Sequence, residues 1–296
     1  VACKEKGIRV VDVRHEATAV FAADAVSRLS PAIGVAAVTA GPGLTNTLTA
    51  VKNIQMAQVP VLLLGGATAT ILKGRGSLQD IDQMALLRPL TKHQVIIKRG
   101  KDIANEVNKA IIIAQSGVPG PVFVELPLDL LYPQDLVREL YGLNTDSQKM
   151  SWWLEKYLQR NLDHIFTGFE TTPKPIPEIM CPMPVSSAIQ KASKMMYNAK
   201  SPVSLIGSQT MLNVTQVDNL VQKLASLGMP MFVSGMARGL LSKEELNIFR
   251  HQRKKALQEA DLVLLAGVPC DFRLGYGRQI NRKAEIISIN RSRSDL

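Results

Sequence analysis

Glu16 follows Val10, Val11, Asp12, Val13, Arg14 and His15 and opens an alanine-rich stretch, so a carboxyl group stands where a short β-branched run meets a helix. In α/β sheets the carboxyl ends of strands are where ligands bind, and a carboxylate there can hold or accept a proton. A plainer reading is that Glu16 complements the positive end of the helix dipole. The next chemical feature is Gly41-Pro42-Gly43. Two of these residues lack a side chain and the third has a fixed φ, so backbone can approach a ligand closely; a simple tight turn explains the same residues.

The elements that must position these groups alternate. A strand is expected over 10–13, a helix after Glu16, a strand over 34–40, a helix from Leu44, Thr45 and Asn46 to about 58, and a strand over 59–64 ending in Gly65 and Gly66. Thr91, Lys92 and His93 precede a helix over 103–116, and Gly117 to Pro121 introduce a strand over 122–126, closed by Pro127. Strand and helix in turn predict a parallel sheet.

Taken in order, RHE (14–16), TAGPGLTN (39–46), GRGSLQD (74–80), LTKH (90–93) and SGVPGPVFVELPLD (116–129) resemble the pyrimidine-binding domain of thiamine diphosphate enzymes of the acetohydroxyacid synthase and 2-hydroxyacyl-CoA lyase group. The tryptophan-rich stretch at Trp152 and the GMARGLL (235–241) and VPCDFRLGYGR (268–278) segments most resemble the lyase branch, so the likeness covers essentially the whole chain. The resemblance implies that Glu16 hydrogen-bonds the aminopyrimidine ring nitrogen, and a carboxyl buried near neutral heterocycles should have a raised pKa, which suits proton sharing. It implies that Gly41, Pro42, Gly43 and Asn46 line the pyrimidine side and that Gln79 orients the substrate. Leu78 replaces a phenylalanine common in the group, which weakens any transfer of substrate contacts. His93, beside a lysine, specifies no proton path and reads as structural. The implied substrate is an acyl-CoA or a 2-keto acid: cleavage of a 2-hydroxyacyl-CoA to a shortened aldehyde and formyl-CoA, or condensation of keto acids as in acetolactate synthases.

The 296 residues suffice for two domains, and 46% hydrophobic residues for two cores. No apolar run reaches the roughly 20 residues of a membrane helix; the nearest, 59–72, is broken by Pro60, Gly65 and Gly66. Cys3, Cys181 and Cys270 are odd in number and unrelated in spacing, so neither a disulfide framework nor a zinc site is expected. A net charge of +10 and a basic cluster at Arg250, Arg253, Lys254 and Lys255 invite a nucleic-acid reading. No aromatic residues are interleaved with that cluster, so nucleic acid is not expected and a small polyanion, such as a CoA or nucleotide phosphate, fits better.

The expected organisation is a pyrimidine-binding domain over 1–133, an amphipathic helix and proline-rich linker over 134–184, and a Rossmann-like central domain over 185–296. Both domains are α/β with doubly wound parallel sheets. In the linker region Trp152, Trp153, Leu154, Tyr157, Leu158, Leu162, Ile165, Phe166 and Phe169 recur at three and four, and packing on a neighbouring domain is expected over contact with a membrane surface. The central domain should hold a helix over 186–198, a strand over 203–207, a helix over 214–227, strands over 231–234, 262–266 and 286–289, and a basic helix. The resemblance allows FAD or ADP there, but Gly207, Ser208 and Gln209 form no GxGxxG loop, and Asn290, Arg291 and Arg293 stand where a ribose-binding carboxylate is often found. The family's Mg²⁺ and diphosphate are held by a Gly-Asp-Gly motif, and no Gly-Asp dipeptide occurs here. The expectation is therefore a piece of a homodimeric or tetrameric enzyme, without its diphosphate-binding domain and its first strand and helix, inactive alone or serving as a subunit. By the same resemblance the complete protein is expected at the endoplasmic reticulum membrane, held through an N-terminal segment.

Overall fold

Side chains alternate across a strand, so a strand covered on both faces must be apolar throughout; 61–64 and 121–124 satisfy this. In the computed structural model these runs form adjacent central strands. It describes residues 2–143, 150–168, 175–212, 216–240 and 247–292, in two compact units, Val1–Met180 and Cys181–Leu296.

The first unit runs α1 (Ala2–Glu5), α2 (Glu16–Leu29), β1 (Gly34–Val38), α3 (Pro42–Thr45), α4 (Leu48–Ala57), β2 (Val61–Ala67), α5 (Gln83–Leu87), β3 (His93–Ile96), α6 (Ile103–Gln115), β4 (Pro121–Pro127), α7 (Gln134–Leu140) and α8 (Trp152–Phe166). Its four strands are all parallel in the order β1-β2-β4-β3, with Leu63 opposite Phe123. Val61, Leu63 and Phe123 pack with Val20 of α2 and Val51 and Ile54 of α4. On the other face Leu62, Val122 and Val124 pack with Ala110 and Ala114 of α6 and Ile165 of α8.

Two expectations need correction. Residues 10–13 form no strand, and Val10 and Val11 are 63% and 68% exposed. β-branched composition makes a strand only where a neighbouring edge supplies a hydrogen-bond ladder, and among the described residues none pairs with this run. Conversely β3 was not expected: it is short, and each of its residues is only partly buried, so it lacks a two-residue period.

Helix α8 buries Leu158, Leu162 and Ile165 against the first unit and leaves Trp152 and Trp153 exposed, with the Lys156 ammonium 4.8 Å from the Trp152 ring centroid. It is thus part of the first unit and packs on that unit's own sheet and helix α6, and Phe169 lies outside the described residues. Among the described residues no helix is long and apolar enough to cross a membrane.

The second unit runs α9 (Ser186–Asn198), β5 (Pro202–Ile206), α10 (Val217–Ser226), β6 (Met231–Val233), α11 (Arg253–Glu259), β7 (Leu262–Ala266) and β8 (Glu285–Ile289). Its strands are again all parallel, in the order β6-β5-β7-β8. Val203, Leu205, Val263 and Leu265 face Leu257 and Leu274. Their alternates pack on the opposite face, Ile206 and Ala266 with Leu224 of α10, and Leu262 and Leu264 beside Met195 and Met196 of α9. Both units are therefore helix–sheet–helix layers.

Candidate functional site

Parallel strands end on one side, and the carboxyl ends of β1, β2 and β4 border a cleft of about 610 Å³ lined mainly by Val38, Leu64, Leu72, Leu126 and Leu128, with Thr39, Gly65, Gly66 and Gln79 at its polar points. Of the residues expected to carry chemistry, Gln79 lines this cleft; Glu16, Gly41, Pro42, Gly43 and Asn46 are not among its lining residues, and the strand expected before Glu16 is absent.

Glu16 is the first residue of α2, which His15 caps by accepting a hydrogen bond from the Ala17 N–H at 3.1 Å through Nδ1. The carboxylate is positioned by that cap and not by a preceding strand. Asn46, at the end of α3, donates from Nδ2 to Glu16 Oε2 at 3.0 Å. Gly41 caps α3 at φ 63°, a conformation that favours glycine, and Pro42 begins the helix, where its missing N–H costs nothing. A Cβ on Gly43 would meet Thr39 Oγ1 at 2.3 Å and lie 3.8 Å from Glu16 Oε1, so Thr39 fills the space a side chain would take and bare backbone comes close to the carboxylate. A Cβ on Gly41 would approach the Cβ of Gln79 to 2.9 Å. Gln79 thus lies directly against the glycine turn, itself left-handed at φ 64°, while Leu78 is 87% exposed.

The Asn46 amide holds the Glu16 carboxyl below its ordinary range, backbone hydrogen bonding adds to this, and the small effect of burial opposes it. The expected rise is that of a carboxyl buried against a neutral ring, and Glu16 is only half-buried by the residues around it here. One expected result follows: in Asn46→Ala the Glu16 carboxyl titrates at higher pH than in the unsubstituted protein, as followed by ¹³C NMR of the side-chain carboxyl. An unchanged titration would show that the amide does not set it.

His93 opens β3 opposite Val122, at the amino ends of the strands and so across the sheet from the cleft. Burial, then the charge of Lys109, holds its imidazole below the usual range. It stands where a structural histidine would.

Three residues supporting the site escaped the sequence reading. Glu125 in β4 is 1% exposed; it accepts from Lys73 Nζ at 2.8 Å and from Gln83 Nε2 at 3.0 Å. Gln83 also donates to the Gly66 carbonyl at 3.0 Å, and its Oε1 accepts from the Gly41 N–H at 3.3 Å. The available signal was a lone carboxylate inside the apolar run PVFVELP.

In the second unit the strand ends are crowded. A Cβ on Gly207 would meet the Gly267 carbonyl oxygen at 2.3 Å, and Ser208 Oγ accepts from the Met236 N–H. Asn290 Nδ2 donates to Ser288 Oγ at 2.9 Å and the Arg291 N–H donates to Gln209 Oε1 at 3.1 Å; Arg293 lies outside the described residues. Arg250, Arg253 and Lys254 line a cleft of about 1040 Å³ together with Arg238, His251 and Phe249. Among the described residues no three His, Cys, Asp or Glu side chains are grouped to hold a metal ion.

Residues 1–86 match the thiamine pyrophosphate enzyme N-terminal TPP binding domain, and residues 189–296 the central domain of the same enzymes. The whole chain is 52% identical to 2-hydroxyacyl-CoA lyase 2 of Danio rerio and 48% identical to that of Homo sapiens, spanning 48% and 47% of those proteins. It is 30% identical, over 98% of its length, to the acetolactate synthase large subunit IlvG of Mycobacterium tuberculosis, of which it covers 47%. The chain therefore spans about half the length of the curated relatives it matches.

Proposed function

We propose that this chain, which belongs to the thiamine pyrophosphate enzymes, carries the pyrimidine side of a thiamine diphosphate site in a lyase that cleaves a 2-hydroxyacyl-CoA to a shortened aldehyde and formyl-CoA. The observation that carries the reading is the Glu16 carboxylate held by Asn46 beside the bare Gly43. The residues fit the cofactor's ring: the half-buried Glu16 offers a carboxylate oxygen to a ring nitrogen, and the turn Gly41–Gly43 presents backbone without side chains close to it.

When bound, thiamine diphosphate supplies a carbon nucleophile that attacks a carbonyl and holds the resulting electron pair. Glu16 would accept a hydrogen bond from, or share a proton with, the ring nitrogen at its carboxyl group. Asn46 would keep that group oriented, and pressing a ring against it would exclude water and raise its proton affinity. Gln79, next to the turn, would orient the substrate hydroxyl or carbonyl. The apolar strand-end cleft would keep water from the reacting atoms. The basic cleft of the second unit offers charge complementary to CoA phosphates.

Condensation of keto acids is the second reading, favoured by the acetolactate synthase relative, whose identity to this chain is lower. Product analysis separates the two. With the active enzyme, a long-chain 2-hydroxyacyl-CoA should yield an aldehyde one carbon shorter and formyl-CoA; acetolactate from pyruvate with no aldehyde would overturn the assignment. Family resemblance alone supports three further parts of the proposal: Mg²⁺ with the diphosphate, a homodimer or tetramer, and attachment to the endoplasmic reticulum membrane.

A further inference from the structure

Gly41 and Gln79 belong to separate loops, yet both are tied to one buried charge. Each carboxylate oxygen of Glu125 accepts from a donor on a different segment: Lys73 Nζ at 2.8 Å, at the root of the loop that carries Gln79, and Gln83 Nε2 at 3.0 Å, whose own Oε1 takes the Gly41 N–H. The loop is closed further along, where Asp80 Oδ2 accepts from the Gly74 N–H. Glu125 sits in the central strand β4 at register with Gly65 and Ile96, so its backbone is fixed on both sides. A buried carboxylate is costly unless its charge is compensated, and here Lys73, whose side chain is 46% exposed, supplies the compensation from the rim.

We propose that Glu125 is a positioning residue of the site: through Lys73 and Gln83 it sets the loop of residues 73–80 and the turn Gly41–Gly43 at a common height above the ends of β2 and β4. The inference rests on the reading of that turn as the pyrimidine side. It assigns Glu125 no contact with cofactor or substrate. Its role is to make the two contacting segments move together.

The chemistry of the donors gives an asymmetric forecast. A glutamine at 125 has one acceptor oxygen and one amide NH₂, so it can satisfy only one of the two donors. Lys73 can turn to water and Gln83 cannot, because Gln83 is 3% exposed. Glu125→Gln should therefore release the loop and keep the turn.

Amide hydrogen exchange of the folded protein tests this. In Lys73→Met and in Glu125→Gln, exchange within 74–80 should rise about tenfold, the size of one lost hydrogen bond to a charged group, with Gly41 unchanged. In Gln83→Leu the Gly41 amide should exchange faster with 74–80 unchanged, and in Glu125→Leu both segments should loosen. Lys73→Arg should restore the unsubstituted pattern. Should Glu125→Leu not fold, the Lys73→Met and Glu125→Gln pair still decides. Equal loosening of β2 and β4 in every variant, or no change within 74–80 in Lys73→Met and Glu125→Gln, would overturn the proposal. In the active enzyme, Lys73→Met should also slow cofactor C2 proton exchange several-fold. An effect of Glu125 and Lys73 on the loops without any effect of Glu16→Gln on C2 exchange would refute the functional reading and leave the positioning role standing.

Discussion

Glu16→Gln slows exchange of the cofactor's C2 proton in the active enzyme by about 10² or more, the usual size of a lost general acid–base group. The substitution keeps the shape of the side chain and its place as the first residue of α2. A glutamine carbonyl can still accept from Asn46 Nδ2, now at 3.0 Å from Oε2, so local structure should survive. What is lost is the ability to hold a proton. Deuterium exchange at C2 followed by ¹H NMR reads this loss without requiring turnover of any substrate. Exchange at the unsubstituted rate would remove Glu16 from the chemistry and return it to the plainer role of complementing a helix dipole.

Phe123→Ala destabilises the first unit by about 3–5 kcal/mol, the cost of transferring the ring to water plus that of the cavity left behind. Phe123 is fully buried in the central strand β4, where its ring meets the bare face of Gly65: a Cβ there would stand 2.6 Å from Cε2. It joins Leu44, behind the glycine turn, to Leu63, Val51 and Ile54 in one core. The fully buried neighbours limit collapse into the void, which places the cost toward the upper part of the range. Urea unfolding followed by circular dichroism measures it. A loss under about 1 kcal/mol would show that the site collapses around the smaller side chain.

What could be read in the sequence, and what could not, divides along physical lines. Runs buried on both faces, such as 61–64 and 262–266, are apolar at every position and were legible as central strands. Helix Ser186–Asn198 was legible from its spacing and the proline-rich stretch before it. The exposed run at 10–13 has strand composition without a strand's partner, and β3, four residues each partly buried, has a partner without a two-residue period; only tertiary contacts distinguish them. At the site, the turn Gly41–Gly43 was legible because its chemistry is local. The Asn46 bond to Glu16 and the Gln83 bridge join residues 30 and 42 positions apart in sequence, and no spacing rule reports such a pair. The lowering of the Glu16 pKa by Asn46 was not legible, because it depends on one amide that only the fold brings to the carboxyl.

The most direct test of the central claim is where the cofactor's ring sits. In the active enzyme labelled with ¹⁵N-glycine and ¹⁵N-asparagine, addition of thiamine diphosphate and Mg²⁺ should shift the amide resonances of Gly41 and Gly43 and the side-chain amide of Asn46, and leave Gly207 and Gly267 in place. Shifts at Gly207 and Gly267 with none at Gly41, Gly43 or Asn46 would contradict the account.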